Sequence, residues 1–228
     1  NYHLSAAGGV EDQGLYVSGD FGYFMAGATD GVVDGMDGFM LGSATPEVGA
    51  GTTNSGTTGA VASGLNVGAG MTDTATAEKV GYRSPDINGF QVGVSFTDAG
   101  RTSKGDNTQY ILTYDAGFVK VGFGGTTIDA AAGTNADTTQ SVMGLGTSFG
   151  DFGLQIARGK DKTRGSSGNI TSDISTNDIG ISYGGFENIS LYYNGVTSEQ
   201  DSGTNVGDKL DYTGIGLTYT IADGVSAL

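Results

Sequence analysis

The sequence predicts an all-β chain, an antiparallel up-and-down β-barrel whose strands cross a membrane. Three observations predict it. A hairpin phrase recurs, an alternating apolar strand, a tight turn around Phe-Gly or Gly-Phe, then a second alternating strand. It reads Leu15–Phe24 (LYVSGDFGYF), Tyr110–Phe123 (YILTYDAGFVKVGF), Val142–Ile156 (VMGLGTSFGDFGLQI) and Ile179–Tyr193 (IGISYGGFENISLYY). Tight connections alternate with long polar ones along the chain, which gives a barrel two unlike ends. The face opposite each apolar stripe is small or polar but rarely charged.

Period-two alternation places strands at 14–20, 22–29, 77–84, 89–97, 107–115, 118–127, 140–149, 151–159, 177–184, 188–197, 209–220 and an unfinished 223–228, about twelve in all. In Phe90–Thr97, Phe90, Val92, Val94 and Phe96 share one face and Gln91, Gly93, Ser95 and Thr97 the other. Val119, Val121 and Phe123 oppose Lys120, Gly122 and Gly124, and Ile215, Leu217 and Tyr219 oppose Gly214, Gly216 and Thr218. A water-soluble β-sandwich would alternate too, but it dresses its wet face with Lys, Glu and Arg against aggregation. A wet lumen behind a lipid-facing wall fits Gly, Ser, Thr and Gln better. Tight turns are expected at Asp20–Gly22, Ser84–Gly89, Ala116–Gly117, Gly150–Asp151, Gly184–Glu187 and Ile221–Asp223, and long connections at 98–106, 128–139, 160–176 and 198–208. One connection breaks scale. Residues 30–76 form a loop within the single domain 1–228, with an apolar patch at Gly35–Leu41. A loop of that length is functional or disordered. Its apolar anchors and the width of the barrel point to folding inward.

Composition narrows the class. The chain has 228 residues with 43 Gly, 2 Pro, 11 Tyr, 10 Phe, no Cys and no Trp. No window supplies the run of about 20 apolar residues that a membrane helix needs, and alternation hides barrel strands from hydropathy. The net charge of −15 argues against nucleic acid as a partner and favours cations near the loop end. No leader is visible before Asn1, and the chain stops soon after the turn at Asp223, so it is expected to be a piece lacking strands at both ends.

Chemistry-bearing motifs are weak. Gly146-Thr147-Ser148-Phe149-Gly150 matches a nucleophile elbow, but no helix follows and the lone His3 lies upstream. Glycine pairs such as Gly122/Gly124 sit within strands, with no helix to receive a phosphate. Asp98, Asp106, Asp129 and Asp137 could hold loop-bound calcium, though no calcium-loop spacing is present and solvated loop surface is the better reading. No catalytic residue, metal site or cofactor is expected. The defensible constellation is acid on the long loop (Asp30, Asp34, Asp37, Glu47) beside base on the next strand, where Lys79 and Arg83 share the parity opposite Val80 and Tyr82. Acid on an inserted loop against base on the wall makes a transverse field across a constriction. The alternative, that Asp30–Asp37 is solvated turn and Arg83 sits at the rim, stays open. Parity also turns Tyr16, Tyr23, Gln91, Lys120, Gln155 and Tyr192 toward the lumen.

The phrase Leu15–Gly22, followed by Ala26-Gly27-Ala28-Thr29-Asp30-Gly31, resembles the general diffusion porins of Gram-negative bacteria, especially the Rhodobacter-like, alphaproteobacterial type. The later Phe-Gly turns and Ala222–Val225 resemble it too. The resemblance implies a sixteen-stranded barrel, a homotrimer and an outer-membrane location among lipid and lipopolysaccharide. It implies an eyelet formed by the loop after the fifth strand, here strand 22–29. On that reading the chain runs from the end of the second external loop to the fifteenth strand. The family's eyelet acids map onto Asp34, Asp37 and Glu47, and its wall bases onto Lys79 and Arg83. Met25 stands where many relatives carry an inward basic or polar residue, which thins the basic wall. The implied function is passive diffusion of small hydrophilic solutes with a mild preference for cations. The rivals are a substrate-specific porin, for which Tyr16, Tyr23 and Tyr192 would be the signal, and a secreted or surface β-protein with a binding or adhesive role.

Overall fold

The computed structural model describes residues 2–4, 13–33, 65, 78–97, 106–129, 136–222 and 225–227. In them, one sheet of thirteen strands follows chain order. The strands are β1 (Tyr2–Leu4), β2 (Gln13–Gly19), β3 (Gly22–Ala28), β4 (Glu78–Arg83), β5 (Phe90–Thr97), β6 (Asn107–Asp115) and β7 (Val119–Ile128). They continue as β8 (Asp137–Phe149), β9 (Phe152–Arg164), β10 (Ile170–Phe186), β11 (Ile189–Gly203), β12 (Lys209–Ala222) and β13 (Val225–Ala227). Every pairing is antiparallel between sequence neighbours, as the predicted up-and-down class requires.

Local sequence makes the tight turns. Between β4 and β5, Asn88 and Gly89 both have positive φ (56° and 89°), with Ile87 bridged to Phe90. Asn-Gly suits a two-residue turn of that hand, whose twist matches the flanking strands. The Asp86 carboxylate accepts from the Gly89 amide at 2.8 Å, so the turn is closed by side chain as well as backbone.

The sheet is inverted relative to a soluble protein. On β5, Val92, Val94 and Phe96 are exposed while Gly93, Ser95 and Thr97 are buried. The same split holds on β6, where Tyr110 and Leu112 are exposed and Gln109 and Thr113 buried. Burying a large apolar side chain is worth about 1.5–3 kcal/mol, so a continuous apolar outer belt is stable only when lipid covers it. Inner polar groups bond to one another across strands. Ser95 Oγ donates to Gln109 Oε1 at 3.0 Å, Thr126 Oγ1 to Asn107 Oδ1 at 2.7 Å, and Asn194 Nδ2 to Asp178 Oδ1 at 2.9 Å.

Three sequence expectations are corrected. A further strand, β1, precedes the predicted first one, pairing His3 with Tyr16. The segments 160–176 and 198–208, expected as loops, are mostly strand, with bends confined to 165–169 and 204–208. Beyond the lipid belt the outward side chains no longer need to be apolar, so alternation fades while backbone pairing continues through Lys162↔Asp173 and Thr176↔Ser198. The inner face is also less uniformly polar than its sequence pattern suggests. Met25, Ile111, Val142 and Ala157 are buried there in an apolar cluster.

The wall is uneven in height. The β3 strand has seven residues, bounded by described turn and coil, whereas β8–β12 have 13 to 17. At about 3.3 Å per residue, the β9–β12 side projects well beyond the β3 side.

Candidate pore lining and loop root

The site begins where β3 ends. A solvated external loop would leave the next residues exposed. Instead Thr29, Val32 and Val33 are at most 3% exposed. Hydrogen bonds to the inner wall hold them. Lys79 Nζ donates to the Thr29 carbonyl at 2.6 Å, Arg83 Nη2 to the Val32 carbonyl at 3.0 Å, and the Val32 amide to Ser95 Oγ at 3.2 Å. The chain therefore turns into the barrel immediately after β3.

Apolar contact completes the root. Val32 and Val33 join the cluster of Met25, Ile111, Val142 and Ala157, against which Tyr16 and Tyr23 pack. Gly93 makes room for this. A Cβ built there would lie 2.9 Å from Ile111 and 3.3 Å from Val32. Met25 spreads over Gly81 and receives the Thr29 hydroxyl on its sulfur at 3.7 Å. The position where the resemblance implied a polar group is thus part of the floor on which the loop root rests.

The sequence-predicted residues are distributed as follows. Lys79 is buried and Arg83 half-buried on the inner parity of β4, with Val80 and Tyr82 exposed on the other. Asp30 is half-buried at the root. Asp34, Asp37 and Glu47, and the apolar patch 35–41, lie outside the described residues. Tyr16 and Tyr23 stack with centroids 5.7 Å apart. Gln91 pairs in register with Thr113, and Gln155 with Gly146 and Gly180, on the inner parity. Lys120 forms an ion pair with Asp115 at 2.9 Å at the tight-turn end. Tyr192 lies between Ser182 and Gly216, far around the sheet from the Tyr16–Tyr23 stack. Ser148, the centre of the elbow-like motif, is an exposed β8 residue beside the Gly150 turn.

Sequence reasoning missed Thr29, Val32, Ser95 and Gly93. Only the small residue at 93 carried a signal, and glycine is common throughout this chain. Among the described residues no three His, Asp or Glu side chains gather as a metal site. The contacts of Lys79 and Arg83 give them a mechanical job, because charged donors on carbonyl oxygens make stronger hydrogen bonds than neutral ones.

An apolar belt outside, a polar and hydrogen-bonded wall inside, and a chain that turns inward after β3 define a transmembrane β-barrel. Residues 5–228 match the sequence model of the Gram-negative porin family, and the chain belongs to that family. Its place is the bacterial outer membrane.

Solved structures agree on the fold. The anion-selective porin from Comamonas acidovorans superposes with a TM-score of 0.73 at 15% identity, over 92% of this chain and 62% of that one. A porin structure refined at 1.8 Å gives 0.67 at 19% identity, over 95% and 73%. Outer-membrane expressed OmpT of Vibrio cholerae gives 0.68 at 16% identity, over 94% and 66%. The chain thus spans 62% of the length of the Comamonas porin it resembles. No curated protein matches it.

Proposed function

We propose that the protein forms a water-filled pore for passive diffusion of small hydrophilic solutes and ions, with a mild preference for cations. The carrying observation is the inverted sheet, with Val94 and Phe96 exposed beside Ser95 at 1% exposure. A secreted β-protein would leave that belt in water, where it aggregates. The loop root on Ser95 and Arg83 supports a constriction built from residues 30–76, with Asp30, Asp34, Asp37 and Glu47 as its acids. The net charge of −15 supports the cation preference. No bond is made or broken, so neither catalytic residues nor cofactors enter, and loop-bound calcium has no supporting cluster among the described residues.

A homotrimer fits the uneven wall. A seven-residue β3, tilted as barrel strands are, falls short of the apolar band of about 25 Å that outer-membrane barrels present. A low side is better covered by another copy than by lipid. The substrate-specific reading gains little, since the Tyr16–Tyr23 stack packs on the loop-root cluster and Tyr192 stands far from it.

The test is the full-length protein in a planar bilayer under a salt gradient. Large ohmic steps with a cation-selective reversal potential are expected. Ohmic steps with no selectivity would retain the pore and remove the role given to the acids. A protein that stays soluble without detergent and never inserts would overturn the reading.

A further inference from the structure

The inner wall is not bonded to itself throughout. Away from the tight turns its polar side chains pair across strands, as Thr176 does with Ser198 at 3.1 Å and Asn194 with Asp178 at 2.9 Å. Near the tight turns of β8–β12 they do not. There Ser148, Ser182, Ser190 and Tyr192 line an open cavity of about 320 Å³. Among the described residues, no hydrogen bond engages any of these four hydroxyls.

Register gathers the groups on one patch of the inner face. Ser148 pairs with Gly153, Gly153 with Ser182, and Ser182 with Tyr192. Leu191 and Tyr193, on either side of Tyr192, are exposed in the apolar belt, so Tyr192 itself faces the lumen. The row continues to Gly216, which has no side chain to cover the tyrosine ring. Ser190 and Thr218 face one another in the next row toward the turns. Gln155 stands in the next row away from them, between Gly146 and Gly180.

Two atoms beside the cavity lack a partner. Gln155 Oε1 and Thr218 Oγ1 are buried and make no hydrogen bond among the described residues. A polar atom buried without its partner is costly. Gln155 leans across Gly146, where a Cβ would lie 3.5 Å from its Cγ, so the amide has room to turn toward a donor in the cavity.

Charge selects the class of that donor. Among the described residues no Lys, Arg or His lines the cavity, and its one carboxylate, Asp151, lies at the exposed rim. Lys120, in register with Gly146, is paired with Asp115 at 2.9 Å. Asp178, one row beyond Gln155, accepts from Asn194, and Glu187 is exposed in the neighbouring turn. An anion would find no base here and a cation no enclosed carboxylate. Hydroxyls and an amide that both donate and accept match a ligand whose own groups do both. A tyrosine ring offers its C–H groups an apolar face.

We propose that this cavity is a subsite for a neutral sugar of monosaccharide size. Gln155 and the serines bond the sugar hydroxyls, and Tyr192 packs against the sugar ring. The volume lies at the lower end of the range of about 300–1,000 Å³ for ligand pockets, which suits one ring. The proposal rests on the pore reading above, since the sugar arrives through the lumen. It adds a stop on the diffusion path near the tight-turn mouth, and a stop within a channel must bind weakly enough to let go.

The experiment uses the full-length protein in a detergent without a sugar headgroup. Saturation-transfer NMR follows D-glucose, with glucosamine as its cationic comparison. Glucose is expected to bind with a Kd on the order of 1–10 mM. Gln155→Leu and Tyr192→Ala are each expected to weaken it at least about tenfold. Ser182→Ala, the loss of one oxygen, replaces either variant that does not fold. No saturable glucose signal, or binding undiminished in the variants, overturns the proposal. Glucosamine binding at least about tenfold more tightly than glucose would make this a cation site and overturns it too. Bilayer conductance of the same preparations separates the two readings. Protein that binds glucose yet does not conduct overturns the pore and leaves the subsite. Protein that conducts yet binds no glucose leaves the pore and overturns the subsite.

Discussion

The Arg83 guanidinium donates to the Val32 carbonyl oxygen at 3.0 Å, joining the wall of β4 to a loop residue 51 positions earlier in the chain. With Lys79 on the Thr29 carbonyl, it pins both ends of a four-residue root. Base on this wall therefore holds residues 29–32 against its inner face, before any field across the pore is considered.

Arg83→Gln is expected to loosen that root. A hydrogen bond to a charged donor is worth about 1.5–3 kcal/mol, so the loop should fluctuate more. Single-channel records should show greater open-state noise and closure at lower voltage. Records identical to the unmodified protein would mean that the bond does not restrain the loop.

Gly93→Val tests the apolar half of the root. The added side chain meets Ile111 and Val32 at close range, and overpacking costs about 1–3 kcal/mol. The thermal midpoint in detergent should fall, and the conductance should change as the root is displaced. A midpoint that rises would show that the site holds a void instead.

Two glycines should respond unequally to alanine. At Gly89 φ is +89° and the new Cβ would meet the Asp115 carbonyl oxygen, which is backbone and cannot yield. At Gly125 it would meet only the end of the Tyr110 side chain, which can swing away. Left-handed alanine alone costs about 1–2 kcal/mol, so Gly89→Ala should lower the denaturant midpoint clearly more than Gly125→Ala. Equal effects would count against the turn geometry.

Val94→Lys probes the lipid face. A lysine near the bilayer midplane costs about 2–4 kcal/mol. The folded fraction recovered in vesicles should drop steeply, while a soluble protein would tolerate the change, since Val94 is already exposed.

Asp161 and Asp178 stand on the inner parity, bonded to Gln140 and Asn194. Their joint replacement by Asn should move the reversal potential toward the unselective value. A potential that does not move would shift the source of any cation preference to the loops.

The sequence by itself determined the class, the strands crossing the apolar belt and most of the described tight turns; the turn expected at Gly184–Glu187 falls instead at Glu187–Asn188, with β10 continuing through Phe186. Those features are local, since parity and a turn's glycine or asparagine are written in adjacent residues. It also determined the inner parity of Lys79 and Arg83, because Val80 and Tyr82 between them demand lipid. Tertiary structure decided what those bases touch. Their acceptors are carbonyl oxygens of Thr29 and Val32, and a backbone acceptor leaves no mark in a sequence. It also decided how far β9–β12 extend. Past the belt, backbone pairing continues with charged residues on the outward face, and hydrophobic alternation no longer reports it. The apolar landing for Val32 was hidden for a related reason. Met25, Ile111, Val142 and Ala157 come from four separate strands, and only the curvature of the sheet gathers them into one surface.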